Sequence, residues 1–363
     1  MKTTCLVLGA GFSKSVANLP VTNEMFKAFE KEIENQRLLK NTIRIHRGER
    51  LFDFLRTIED DFLRSFNERV DKGSKILKSN YLENFEGFCF FLDLNLAFEV
   101  HALSESNGVT ADLTGKPLFA NYTSTRLGEI RSYLGDYLYL TLINDKPDKK
   151  LLDRICEVFF NKCSAIITFN YDLILEKYLY ENKRWFPKDG YGFIPIDFPK
   201  VNQAYLNHLS PIKILKMHGS LNWEPSSLYE SNFRFKWFDD DNNYFFPGYL
   251  ENEEKRNFQY QGAFSSDGWI LPSWIKQFSY NEIIKVWNQA FKYLDMAEEV
   301  IFIGYSLPKA DAAVYSLFSC IEWGNKIVKL FDPNAKELLK DYSFILRKKD
   351  LEIYPDYLEN YLK

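Results

Sequence analysis

Four short segments are apolar without alternation, and each ends in a turn signal: TTCLVLGAG, SAIITFNYD, EVIFIGYSL and KIVKLFDPN. A fifth, IKILKMHGS, follows the pattern less cleanly. Strands buried on both faces read this way, because both sides of a parallel sheet are covered by helices. Helical spacing follows several of them. In YDLILEKYLYEN, Leu173, Ile174, Leu175, Tyr178 and Leu179 form one apolar stripe. Strands of this type alternating with helices predict an α/β fold, a Rossmann-like doubly wound parallel sheet.

The first two strands are separated by a long segment with a different period. LFDFLRTIEDDFLRSFNERV places Leu51, Phe54, Leu55, Ile58, Phe62 and Phe66 at helical spacing. NFEGFCFFLDLNLAFEV and TRLGEIRSYLGDYLYLTLI behave similarly. Residues 24–150 are therefore expected to form a large helical insertion in one catalytic domain spanning 1–363. Residues 221–280 show no clear period and are rich in Trp, Phe, Asn, Asp and Gly, so they are expected to form an irregular second lobe.

Composition narrows the function. Lys and Arg number 46 against 50 Asp and Glu, for a net charge of −4 over 363 residues. That balance argues against a mainly electrostatic grip on nucleic acid, and no direct nucleic-acid binding is expected. No apolar run approaches the roughly 18 residues of a membrane span. MKTTCLVLGAG lacks a cationic lead and a cleavage site, so it reads as a first strand rather than a signal peptide. The five cysteines are odd in number, and none form a C-x-x-C pair. This disfavours a disulfide framework or a structural zinc site and fits a reducing, cytoplasmic setting. Aromatic residues make up 17% of the chain, enough to serve a ligand pocket or an interface as well as a core.

The candidate chemistry sits where the predicted strands end. In GAGFS, Gly9, Ala10, Gly11 and Ser13 join the first strand to a helix, where glycines admit a close phosphate and the helix start supplies N–H donors. The position of a third glycine is Lys14. A tight strand-to-helix turn is the plainer reading. In ITFNYD, Asn170 ends a strand, and Asp172 opens the next helix as either a site residue or a cap. In KMHGS, His218 precedes a glycine that permits a tight turn. IGYSLPKAD offers Gly304 and Ser306 before a helix opened by Pro308, and FDPN offers Asp332 and Asn334. Each of these two reads either as an adenosine contact or as turn chemistry. DDDNN lacks the spacing of a calcium loop, and NFRFKWF reads as an alternating strand.

Taken in order, GAGFS, TFNYD, HGS, GYS and DPN resemble the NAD-binding core of the sirtuins. The fuller forms HGSLNW and GYSLPKAD look more like the sirtuin-like proteins of prokaryotic antiphage defence than the deacylases. There are two departures from the deacylases: no cysteine lies between His218 and the GYS loop, where they carry a zinc ribbon, and the Asp-Phe-Arg loop after GAG-x-S is replaced by NLPVTNEMF. No metal ligand set is expected.

The resemblance implies an NAD+ glycohydrolase that makes nicotinamide and ADP-ribose as an abortive-infection response to phage. NAD would be its substrate, with no zinc. Asn170 would orient a water and the nicotinamide ribose, and His218 would contact the ribose hydroxyls and act as base. Gly11, Ser13, Ser306 and Asp332 would hold the pyrophosphate and adenosine half. A homo-oligomer is expected, with a separately encoded activating partner such as a ring-forming ATPase or a short Argonaute. A non-catalytic sensor of NAD or an ADP-ribose-like nucleotide, an NAD-dependent protein deacylase and a redox dehydrogenase are the alternatives.

Overall fold

The computed structural model describes residues 3–22, 24–25, 27–29, 89, 138, 141–142, 146–194, 208–225, 233–235, 281–308 and 311–362. The chain divides into two compact units. One is Met1–Val21, Leu138–Ile270 and Lys276–Lys363; the other is Thr22–Tyr137 and Leu271–Ile275. The helical insertion expected over 24–150 lies almost wholly outside the described residues, as does most of 221–280. All the candidate motifs belong to the first unit.

The five predicted strands are present. They are β1 (Thr4–Leu8), β2 (Cys163–Thr168), β3 (Lys213–Lys216), β6 (Glu299–Ile303) and β7 (Ile327–Phe331). A sixth, β8 (Glu352–Tyr354), completes a sheet of order β3-β2-β1-β6-β7-β8. Every pairing in it is parallel. Leu6 pairs with Ile166 on one side and Ile301 on the other. Leu6, Ile166 and Ile214 are fully buried along this register, as are Cys5, Val300 and Val328 in the row beside it. Burial on both faces explains why these strands read as continuous apolar runs. A short ribbon of β4 (Trp223–Pro225) and antiparallel β5 (Phe233–Phe235) is described within the 221–280 lobe. β5 falls in the NFRFKWF segment expected to be a strand.

Helices cover the sheet. α1 (Ala10–Ala17) follows β1 and ends at Asn18, whose left-handed φ of 52° closes the last turn. α2 (Lys149–Val158) leads through a short 3-10 turn, Phe160–Lys162, into β2. Asp148 starts α2 by accepting from Leu151 N at 3.1 Å. α3 (Ile174–Glu181) buries Ile174, Leu175, Tyr178 and Leu179, as the spacing predicted, and it also buries Glu176. α4 (Asn281–Met296) precedes β6 and buries Ile283, Val286, Ala290 and Leu294. α5 (Ala312–Ser319), α6 (Ala335–Ile345) and α7 (Leu358–Tyr361) complete the unit. The helix expected to open at Pro308 begins at Ala312, after a loop.

From β1 the chain runs outward through β2 to β3, then returns to place β6 on the other side of β1. The strand order reverses between β1 and β6, the kind of position at whose carboxyl edge open α/β sheets bind ligands.

Candidate functional site

Hydrogen bonding of the sheet continues one step past the strands. Met217 N donates to Thr168 O, Phe169 N to Leu8 O, Gly9 N to Ile303 O, Gly304 N to Phe331 O and Asp332 N to Tyr354 O. These bonds span 2.9 to 3.3 Å. They set His218, Asn170, Ala10, Tyr305 and Asp332 along one carboxyl edge, each at or just beyond its anchored amide. Loops held this way keep their side chains in register with the rigid sheet.

The GAG and GYS loops touch backbone to backbone. Gly11 N donates to Gly304 O at 3.0 Å. A Cβ on Gly9 would lie 2.5 Å from Gly304 O, and one on Gly11 would lie 2.8 Å from Gly304 Cα. Gly304 has φ +59°, and a Cβ there would meet Phe12 N at 2.4 Å. The glycines are therefore required by this loop-to-loop contact, whatever the loop binds. The Gly9 and Gly11 amides are both engaged within the protein. Ala10 is the first residue of α1.

Asn170 is half-buried at the end of β2. Its Nδ2 donates to Gly9 O and to Ser13 Oγ, both at 2.8 Å. A carbonyl can only accept, so this contact fixes which end of the amide is nitrogen. Ser13 Oγ in turn donates to Asp172 Oδ2 at 2.7 Å. The chain Asn170–Ser13–Asp172 locks the amide, and Oδ1 makes no hydrogen bond among the described residues. Asp172 also caps α3, accepting from Ile174 N at 3.2 Å.

His218 is buried in a turn closed by Gly219, whose φ is +87°. Its Nε2 lies 3.0 Å from Asp311 Oδ2. Asp311 occupies the N-cap position of α5 but makes no side-chain cap bond there. Phe169 stacks on Tyr305 with centroids 4.3 Å apart, and His218 packs against the Phe169 ring at 5.2 Å. These rings link the ends of β2, β3 and β6 into one apolar wall beside the polar groups.

Beneath the wall lies a buried ion pair. Lys216 Nζ meets Glu176 Oε1 at 3.0 Å, and both side chains are 1% exposed. Lys216 also donates to Tyr171 O at 3.1 Å and makes a short contact with Asp172 O. Tyr191 OH donates to Glu176 Oε1 at 3.1 Å. Burial pushes the Glu176 carboxyl upward, while the Lys216 ammonium pulls it back.

Gly9, Gly11, Ser13, Asn170, Asp172 and Gly304 are thus in direct contact, with His218 joined to them through Phe169. Ser306 is exposed on the loop after β6. Asp332 and Asn334 lie outside the network and form their own turn, with Asn334 N donating to Asp332 Oδ1 at 2.8 Å. Asp332 is buried and burial raises its carboxyl, whereas Asn334 is exposed. Sequence reasoning missed Asp311, the Phe169–Tyr305 stack and the Lys216–Glu176 pair. The signal for Asp311 was present, as the acid directly before the helix in PKADAAV.

Residues 164–319, under half of the chain, match the family model described as the SIR2-like domain. The match takes in Asn170, Asp172, His218, Gly304 and Asp311; Gly9–Ser13 and Asp332 lie outside it. No curated protein matches the chain. Among solved structures, the chain is similar to a Sir2 homologue, a His-to-Asn mutant in complex with ADP-ribose. That similarity is 12% identity, over 99% of this chain and 89% of that one, with a TM-score of 0.37. It is too distant to carry an argument about the site. The family match joins the parallel sheet in defining a sirtuin-like α/β fold. Among the described residues no group of three or more His, Cys, Asp or Glu is placed to hold a metal, and no helix is long and apolar enough to cross a membrane.

Proposed function

We propose that the chain hydrolyses NAD+ to nicotinamide and ADP-ribose. The observation that carries this reading is the Asn170 amide, locked through its nitrogen at the carboxyl edge of the sheet, the same edge that carries the His218–Asp311 pair. The SIR2-like match over both residues supports an NAD-related enzyme.

The reaction asks little of an acid. The C1′–N bond breaks with its electron pair going to the pyridinium nitrogen, which becomes neutral as nicotinamide leaves. A water oxygen bonds to C1′, and the water releases one proton. Asn170 Oδ1 accepts from that water and aims it at C1′. His218 takes the proton, and Asp311 orients the imidazole and faces the charge it gains. Ser13 acts through Asn170. Gly11, Ser306 and Asp332 serve the pyrophosphate and adenosine half in this reading. The Phe169–Tyr305 wall shields the reacting carbon from bulk water.

The proposal includes the absence of structural zinc and of deacylase activity. It also includes a cytoplasmic, homo-oligomeric effector of abortive infection, released by a separately encoded partner such as a ring ATPase or short Argonaute. An ungated NADase would starve its own host, which is the reason to expect a gate. The test is chromatographic. Purified protein with NAD+ should release nicotinamide, and Asn170→Ala and His218→Ala should each lose about 10²-fold in rate. Parent-like rates in both variants would remove the assignment. Light scattering and the rate measured against protein concentration test the assembly, and a strict monomer with constant specific activity would overturn it.

A further inference from the structure

We propose that Lys216 is a positioning residue, an ionic brace that holds the Asn170 loop at its working distance from His218. The inference rests on the NADase reading for its kinetic consequence, while its structural consequence stands apart. The ammonium has three N–H donors and finds three acceptors: Glu176 Oε1, Tyr171 O and Asp172 O. Two of these are backbone carbonyls in the loop joining β2 to α3, the loop that carries Asn170 and Asp172. Lys216 itself ends β3, two residues before His218. One side chain thus ties the loop of one candidate catalytic residue to the strand of the other. Leu221 N reinforces the tie by donating to Tyr171 O at 3.1 Å.

The arrangement is poorly explained by stability alone. A fully buried ion pair gives up the hydration of both charges, and well-packed apolar residues often serve a core as well or better. Lys216 ends β3, an edge strand of the sheet, yet its side chain is 1% exposed, where a lysine could otherwise reach water. The pair does provide a fixed distance between two loops, and an error of about 1 Å at a reacting centre lowers rate by roughly 10².

The experiment uses the full chain and the double variant Lys216→Met with Glu176→Gln. It leaves no unpaired buried charge and keeps an acceptor for Tyr191. Thermal melting should remain close to the parent. Turnover of NAD+ should fall by about ten- to a hundredfold in kcat, with KM changed much less, because the loop carrying Asn170 is displaced rather than the nucleotide site removed. Hydrogen exchange should quicken over residues 169–175 and not across β1 or β6. Should the double variant fail to fold, Lys216→Arg replaces it. The planar guanidinium cannot meet three acceptors arranged around an ammonium, so the same changes are expected. Parent-like kcat and parent-like exchange in a folded variant overturn the brace. If the parent itself leaves NAD+ intact, the NADase reading fails and exchange alone decides: faster exchange at 169–175 supports the brace, and unchanged exchange overturns it.

Discussion

The carboxylate of Asp311 stands at the start of α5 and caps nothing there; its Oδ2 instead meets His218 Nε2 at 3.0 Å, across 93 residues of sequence. An N-cap acid that bonds its helix contributes about 1 kcal/mol. Here that contribution is forgone, and the acid orients an imidazole at the carboxyl edge of the sheet. Asp311→Asn should therefore lower NAD+ turnover by about 10²-fold while leaving thermal melting little changed. Turnover equal to the parent would show that the pair is structural.

Gly304 should tolerate no side chain. Its φ of +59° and the 2.4 Å approach of a Cβ to Phe12 N act together. Gly304→Ala is expected to destabilise the protein by more than about 2 kcal/mol through backbone strain and displacement of the GAG loop. Chemical denaturation measures this directly. A variant as stable as the parent would mean that the two loops separate freely.

Asp332 gives a pH prediction. Burial raises its carboxyl in the folded state, so folding favours the protonated form. The sign follows: its stabilising contribution is present at low pH and is lost as pH rises through the folded value. Asp332→Asn still accepts from Asn334 N and carries no charge to bury. The variant should melt above the parent at pH 7, and the gain should shrink as pH falls into the carboxylate range. A variant that melts below the parent at pH 7 would contradict this. A charge kept at a stability cost is also what a ligand contact requires.

The cysteines should divide by reactivity. Cys320 is exposed, whereas Cys5 and Cys163 are buried. Burial pushes both thiols up, Cys163 to about 12. Iodoacetamide under native conditions should label Cys320 and spare Cys5 and Cys163 until the protein unfolds. Mass spectrometry of the labelled peptides decides. Labelling of Cys163 at the rate of Cys320 would show that β2 opens readily.

What the sequence made legible depended on range. The parallel strands were readable because burial on both faces leaves an apolar run, and the sheet's carboxyl edge followed from the turn signals. β8 escaped notice because three residues with exposed or half-buried side chains carry no such run. α4 has the helical spacing of Ile283, Val286, Ala290 and Leu294, but it follows directly on a segment without a clear period that hides its start. At the site, Asn170, His218 and the glycines stood out by their placement after strands. The reason for the glycines did not, since a contact between Gly11 and Gly304 has no local signature. Glu176 carried no signal of its burial within α3, because its partner Lys216 lies on a strand far along the sequence.

The contact between Gly11 and Gly304 also sets a schedule for the nascent chain. β6 is made about 290 residues after β1, so the GAG loop has no wall to rest on through that interval. At roughly 5 to 20 residues per second, that interval is on the order of 15 to 60 s. Asp311 arrives later still. A polypeptide cut before Glu299 would hold Asn170, His218 and the GAG loop, but neither Gly304, against which that loop rests, nor Asp311, which pairs with His218. The candidate site is thus complete only once both halves of the sheet have been made.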